Sequence, residues 1–198
     1  WGLSEHGRLR FSNNGERLFF GTAPIPPAPV EDSLARIEED GGAMLAEAGL
    51  QRYEVSAYAR DDRTCRHNLT YWRFGDYLAL GAGAHGKMTQ PDGDIWRYAK
   101  TRQPEAYLNA GTGQHTSQRH RLTEQDLPGE FMLNALRLNA GVPAGRFSAA
   151  TGMALDTIQE TVAALVEEGL LVPDASHLRA TALGQRFLDS VTGRFFPD

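Results

Sequence analysis

Residues 67–72 read His-Asn-Leu-Thr-Tyr-Trp, which places an imidazole, a carboxamide, a phenol and an indole within six positions. An imidazole can ligate the iron of a flat macrocycle, and aromatic rings can wall it from water. The same residues serve a plainer purpose equally well, with Tyr71 and Trp72 as core anchors and His67 as a loop histidine. On spacing alone the plainer reading is the stronger. Cys65, two residues before His67, adds a thiol that could be a second donor and reads more readily as an incidental cysteine.

A second stretch, Tyr77-Leu-Ala-Leu-Gly-Ala-Gly-Ala-His85-Gly-Lys87, is an apolar run that ends in glycines, a histidine and a lysine. Apolar strands with polar groups at their carboxyl ends are where α/β proteins build sites. Gly81, Gly83 and Gly86 spell a dinucleotide-type glycine pattern. That pattern binds a pyrophosphate only when it opens a helix. Here it leads into Met88-Thr-Gln-Pro-Asp-Gly-Asp94, a turn. The glycines are therefore expected to make room for a ligand at a strand end, with His85 and Lys87 pointing into or beside that space. A third cluster, His115, Arg119, His120 and Arg121, sits in a Gly/Ser/Thr-rich region with its histidines five apart, and reads as a solvated linker.

These residues need elements to hold them. Pro24–Pro29 is stiff and extended. Asp32 or Ser33 should then cap a helix bearing Leu34, Ile37, Met44, Leu45 and Ala48, stopped by Gly49. A strand is expected next, with Tyr53, Val55 and Ala57 on one face. Residues 60–76 are too polar for core and read as a loop. The unbroken apolar run at 77–84 predicts a strand buried on both faces, as in a parallel sheet. A short helix is expected at 103–109, and Gly111–Ser117 is linker-like, so the chain divides into 1–110 and 111–198.

The second part is cleaner. Asp126 and Pro128 open a helix carrying Phe131, Met132, Ala135, Leu136 and Leu138. A short helix from Pro143 to Thr151 follows. Leu155, Ile158, Val162 and Leu165 then form a stripe that ends at Gly169. Residues 170–172 and 177–180 predict a hairpin. Thr181 caps a last helix with Leu183, Phe187 and Val191. The fold class is therefore α/β followed by α, the second part being mostly helical and winged-helix-like.

Composition narrows the function. Of 198 residues 41% are hydrophobic, enough for a core, and the net charge is −5. That charge argues against nucleic acid or anionic membrane as the main partner. Residues 121–198 hold six arginines, no lysine and ten carboxylates, and the would-be recognition helix carries Asp156, Glu160, Glu167 and Glu168. An acidic winged-helix regulator is thus disfavoured. No apolar stretch is long enough to span a membrane. One cysteine excludes an internal disulfide and suits a reducing cytoplasm. The chain opens on Trp1 in mid-context without a signal peptide, so a piece of a longer protein is expected.

The wording of the central region resembles one family. Tyr53-Glu-Val-Ser-Ala-Tyr-Ala59, Cys65-Arg-His-Asn68, Tyr71-Trp-Arg-Phe-Gly-Asp-Tyr77 and Gly81-Ala-Gly-Ala-His-Gly-Lys87 are similar to the C-terminal half of the HemW-type radical-SAM heme chaperones. These are relatives of oxygen-independent coproporphyrinogen III oxidase. The resemblance runs from about Phe20 to the C-terminus; residues 1–19 do not share it. It implies the last strands and helices of an open parallel (β/α) barrel, then an accessory helical domain. It implies that His67, Asn68, Tyr71 and Trp72 contact heme, with His67 as a candidate iron ligand. Gly81, Gly83, His85 and Lys87 would lie beside the S-adenosylmethionine and substrate cavity. The HNxxYW motif marks the chaperone branch rather than the oxidase, which remains the alternative. Heme and a heme-accepting protein become the expected partners. The family's [4Fe–4S] cluster needs three cysteines in a CxxxCxxC run, absent here, so cluster and S-adenosylmethionine are expected only in the full-length protein. This chain alone is not expected to be catalytically active.

Overall fold

The computed structural model describes residues 9–11, 18–20, 33–60 and 63–197. The proline-rich run at 24–29 lies outside them. The chain divides into two compact units, Trp1–Ala48 and Gly49–Asp198.

In the first unit β1 (Leu9–Phe11) pairs antiparallel with β2 (Leu18–Phe20). The helix α1 spans Ser33–Glu47, and Asp32, one of the expected caps, lies outside the described residues. Gly49, in the turn after it, takes the left-handed φ of +76° that a helix stop favours. Ile37 and Met44, expected on its apolar face, are exposed.

The second unit opens with a hairpin where one strand was expected. β3 (Gln51–Glu54) and β4 (Ala57–Ala59) fold back on each other around Val55 and Ser56, with a register shift between Arg52 and Glu54. The bulge turns Glu54 inward, where it is 1% exposed. There it accepts hydrogen bonds from Ser56 Oγ at 3.1 Å and Arg137 Nη2 at 3.3 Å. Backbone bonds Val55 N to Arg137 O and Asn139 N to Tyr53 O tie this hairpin to residues 137–139.

The expected loop at 60–76 contains a helix, α2 (Arg66–Trp72). It ends with Phe74 N bonding Tyr71 O and Gly75 N bonding Thr70 O at 2.7 Å, a helix stop that puts Phe74 at φ +57°. A left-handed phenylalanine is unfavourable by itself. Burial offsets it: Phe74 packs edge-on against Phe131, with centroids 5.6 Å apart. Gly75 has no substitute, because a Cβ there would lie 2.8 Å from Thr70 O.

The buried parallel strand expected at 77–84 does not form. Leu78 and Leu80 are 67% and 84% exposed, and Tyr77 makes only an isolated bridge to Lys87. The strand begins later, at β5 (His85–Thr89). It pairs antiparallel with β6 (Ile95–Lys100), which pairs antiparallel with β7 (Thr116–Arg121). Apolar residues alone could not distinguish a buried strand from an exposed run closed by glycine turns. All strand pairs among the described residues are antiparallel. α3 (Pro104–Leu108) forms as expected. Residues 111–115 are a turn that leads directly into β7, not a linker.

From Leu122 onward the sequence pattern is followed closely. α4 (Leu127–Ala135) buries Phe131, Met132 and Ala135, with Leu136 and Leu138 just beyond it also buried. Asp126 stands at its N-cap, but its carboxylate accepts from Thr123 N and Oγ1 rather than from the helix. β8 (Val142–Pro143), α5 (Gly145–Thr151), a 3-10 turn at Leu155–Ile158 and α6 (Gln159–Glu167) follow. Gly169 then reverses the chain at φ +73°. The hairpin expected at 170–180 survives as a Leu171–Ala180 bridge, while β9 (His177–Leu178) takes β8 as its main partner. Thr181 Oγ1 accepts from Gly184 N and caps α7 (Ala182–Arg186) as expected. The last helix is broken at Phe187 into α7 and α8 (Leu188–Gly193), so Leu183 and Phe187 are exposed and only Val191 is buried. One apolar cluster joins Phe74, Ile95 and Leu122 to the helices of 127–195. The packing thus crosses residue 111 without a break.

Candidate ligand-binding site

The helix α2 carries the whole His67–Trp72 motif and divides its side chains by face. Residues four apart share a face, so His67 stands over Tyr71. Their rings meet edge-on at 4.7 Å, and Tyr71 meets Tyr77 at 4.1 Å. His67 is exposed, and its ring nitrogens have no hydrogen-bond partner among the described residues. The result is an open imidazole on a tier of two phenol rings.

Asn68 and Trp72 face elsewhere. Asn68 Nδ2 donates to Tyr53 Oη at 3.1 Å, which fixes α2 to the β3–β4 hairpin. Trp72 packs on the core with the Arg137 guanidinium 4.3 Å above its ring. Its Nε1 is buried without a hydrogen-bond partner among the described residues. The motif is therefore split: His67 is exposed over a half-buried Tyr71, while Asn68 and Trp72 hold the helix in place. The Cys65 thiol is exposed at the N-cap of α2.

The glycine-rich segment is built for its own turns. Gly81 and Gly83 take φ of +95° and +70°; Gly81 N donates to Tyr107 Oη and Gly83 N to Thr101 O. Gly86 makes room for a side chain of this chain: a Cβ there would lie 2.2 Å from the Tyr98 ring, whose hydroxyl accepts from Ala79 N at 2.9 Å. The strand β5, not a helix, follows these glycines.

His85 is exposed at the start of β5. Lys87, two residues on, is 2% exposed and turned into the protein. Its Nζ lies 2.8 Å from Asp76 Oδ1, 3.4 Å from Thr89 Oγ1 and 4.4 Å from the centre of the Phe74 ring. Burial pulls its pKa below the usual lysine value, against the opposing pull of Asp76. Burial works to raise the Asp76 carboxyl, but hydrogen bonds from Lys87 and Thr89 outweigh it and the net shift is downward. Alternation along the sequence could not reveal that a ligand-facing position was occupied by an internal ion pair.

Tyr77, unnoticed in the motif, joins the two stretches. It stacks on Tyr71, bridges Lys87 and accepts from Arg97 Nη1 through its hydroxyl. Burial raises its pKa, partly offset by Arg97. Arg97 in turn pairs with Glu130 Oε2 of α4 at 2.6 Å. The His115–Arg121 cluster lies on β7 and the turn before it: Arg119 covers the Trp96 ring, Arg121 pairs with Asp94, and His115 meets Tyr107. No group of metal-ligating side chains is assembled among the described residues.

Cavities open on the surface of the described residues include the following pair. One, of about 230 Å³, lies on the sheet against Met88, Trp96, Tyr98 and Arg119. The other, of about 300 Å³, lies along α2 and is lined by Arg66, Leu69, Thr70, Arg73, Gly75 and Arg146. No helix among the described residues is long and apolar enough to cross a membrane.

Comparison with known proteins gives these features a context. Residues 122–187 match the HemN C-terminal domain. The chain is 40% identical over 179 residues to heme chaperone HemW of Escherichia coli, covering 90% of this chain and 46% of that protein. It is 38% identical over 173 residues to heme chaperone HemW of Haemophilus influenzae, covering 87% and 44%. A bovine mitochondrial relative, radical S-adenosyl methionine domain-containing protein 1, is 34% identical and covers 83% and 39%. The chain thus spans less than half the length of these relatives. In fold it is similar to E. coli coproporphyrinogen III oxidase (HemN), a radical SAM enzyme, with a TM-score of 0.58 at 16% identity, covering 84% of this chain and 42% of that one.

Proposed function

Because the chain belongs to the HemW-type, HemN-related family, whose C-terminal domain it carries at residues 122–187, we propose that it binds heme and presents it to an acceptor protein. The observation that carries this reading is the open His67 imidazole, without a hydrogen-bond partner among the described residues, standing on the Tyr71–Tyr77 pair. A porphyrin iron needs such a donor, and its apolar ring needs an aromatic neighbour.

His67 would supply the nitrogen ligand and Tyr71 the wall. Asn68 and Trp72 act as positioning residues, fixing the rotation of α2 through Tyr53 and Arg137. The Gly81–Gly83 turns, His85 and Lys87 complete the site as its border, Lys87 by way of the Asp76 pair that fixes the start of β5. Bound heme would supply an iron centre, held here through the His67 imidazole. An exposed site suits transfer, since a buried one would have to open to release its cargo.

The single cysteine does not fit a [4Fe–4S] cluster, which takes several thiolates. We assign the cluster, S-adenosylmethionine and the parallel strands of the barrel to parts of the full-length protein beyond the described residues. Within this chain, α4, α5, α6 and the β8–β9 pair read as the winged-helix-like accessory domain, its acidic charge disfavouring nucleic acid. The cytoplasm is the compartment this reading implies.

A hemin titration followed at the Soret band tests it. Replacing His67 by Ala should shift or weaken the band, while His120→Ala, on the exposed edge of β7, should leave it unchanged. If both variants match the parent, and full-length protein also binds hemin identically without His67, the assigned role is wrong.

A further inference from the structure

The 300 Å³ cavity along α2 is lined by three arginines and no carboxylate, in a chain whose net charge is −5. Arg66, Thr70 and Arg73 fall at i, i+4 and i+7, so one face of α2 carries all three. The guanidiniums of Arg66 and Arg73 have no ion pair or hydrogen bond among the described residues. Arg146 arrives from α5 and is fixed: its Nε and Nη2 donate to Arg73 O at 3.1 and 3.0 Å, which satisfies a carbonyl left over at the end of α2. Thr70 is held as well, its Oγ1 donating to Arg66 O at 3.0 Å. The floor is kept low by Gly75, where any side chain would strike Thr70.

Unpaired arginines gathered around a concave surface are unfavourable to the fold through mutual repulsion, and they are suited to oxyanions, which guanidinium groups bind in a fork. The position of the cavity identifies the oxyanion. Successive residues of a helix are about 100° apart. The arginine row is therefore the next row around α2 from the His67–Tyr71 row. A flat ligand standing on His67 would be wide enough to bring one edge over that neighbouring row.

The geometry points to this cavity as the seat for the propionate carboxylates of the tetrapyrrole whose iron His67 takes, an assignment that rests on the function proposed above. Arg73, the C-cap of α2, stands seven positions after Arg66, roughly 10 Å along the axis, so two carboxylates on one edge of a macrocycle can each meet a guanidinium. The arginines then orient the ligand and set its charge preference, while His67 sets its spectrum.

The test compares hemin with hemin dimethyl ester, whose propionates are neutral, on the full chain. The parent should prefer hemin by about tenfold, the size expected for partly exposed charge-assisted contacts, and added salt should erode that preference. Arg66→Gln with Arg73→Gln should abolish the preference and leave the Soret position unchanged. Thermal melting of this double variant should not fall below the parent's, because neither guanidinium has an internal partner and their mutual repulsion is removed. His67→Ala should do the reverse, changing the Soret band while retaining the preference for the free acid. If the parent binds acid and ester alike, or the double variant keeps its preference, the cavity assignment is overturned and heme binding still stands. If neither compound binds, both fall together.

Discussion

Removing the Asp76 carboxylate should unfold this protein more readily than its partial exposure suggests. Asp76 is 39% exposed, but its partner Lys87 is 2% exposed and has almost no water to turn to. The carboxylate accepts from Lys87 Nζ at 2.8 Å, Thr89 N at 3.0 Å and Thr89 Oγ1 at 2.9 Å. In Asp76→Ala the ammonium keeps only Thr89 Oγ1, at 3.4 Å, and the Phe74 ring. Breaking a fully buried pair is destabilising by about 3–5 kcal/mol. Solvent at Asp76 screens part of that, leaving about 2–3 kcal/mol. For a unit of this size the melting temperature should fall by roughly 4–12 °C.

Lys87→Met keeps the stem over Phe74 and removes the charge, so it should change stability by less than about 1.5 kcal/mol. In the Asp76→Ala background it should restore most of the loss. Acid sharpens the test. With its folded pKa lowered, Asp76 contributes fully above its unfolded value of 3.8 and loses that contribution as pH falls through the folded value. Asp76→Ala should flatten the stability profile there. Lys87 acts at the other end: its lowered pKa makes stability rise with pH between the folded value and the unfolded 10.5. Urea unfolding of the four chains gives the cycle. Additive effects, or an Asp76→Ala loss below about 0.5 kcal/mol, would refute the internal pair.

Phe131 is fully buried between Phe74 and Phe147, so Phe131→Ala should destabilise by about 3–5 kcal/mol in denaturant unfolding; a change under about 1 kcal/mol would mean the core is elsewhere. Reconstituted with iron and sulfide, the chain should hold no [4Fe–4S] cluster and make no 5′-deoxyadenosine, and about four irons per chain in metal analysis would contradict this. Random duplex DNA should not be retained at sub-micromolar concentration, because the surface from 121 onward is acidic; salt-sensitive retention in a mobility-shift assay would be the contrary result.

What the sequence determined is concentrated after Leu122. There the apolar residues recur at helical spacing, and Thr181 and Gly169 punctuate the helices, so local pattern and tertiary packing demand the same structure. The His67–Trp72 motif was also visible as a string, since a string of residue types is all that a family resemblance requires. The middle of the chain was decided by tertiary structure. Residues 60–76 look too polar to pack, yet α2 forms because Phe74 and Trp72 anchor it to α4 and Arg137. The run at 77–84 looks buried, yet Leu78 and Leu80 stand in solvent because Gly81 and Gly83 turn the chain before a ladder can form. Lys87 reads as a ligand group and is instead enclosed with Asp76, eleven residues away. Spacing reports which side chains share a face of one element. Which face meets water, and which charges meet each other, depends on the elements packed against it, and only the fold supplies those.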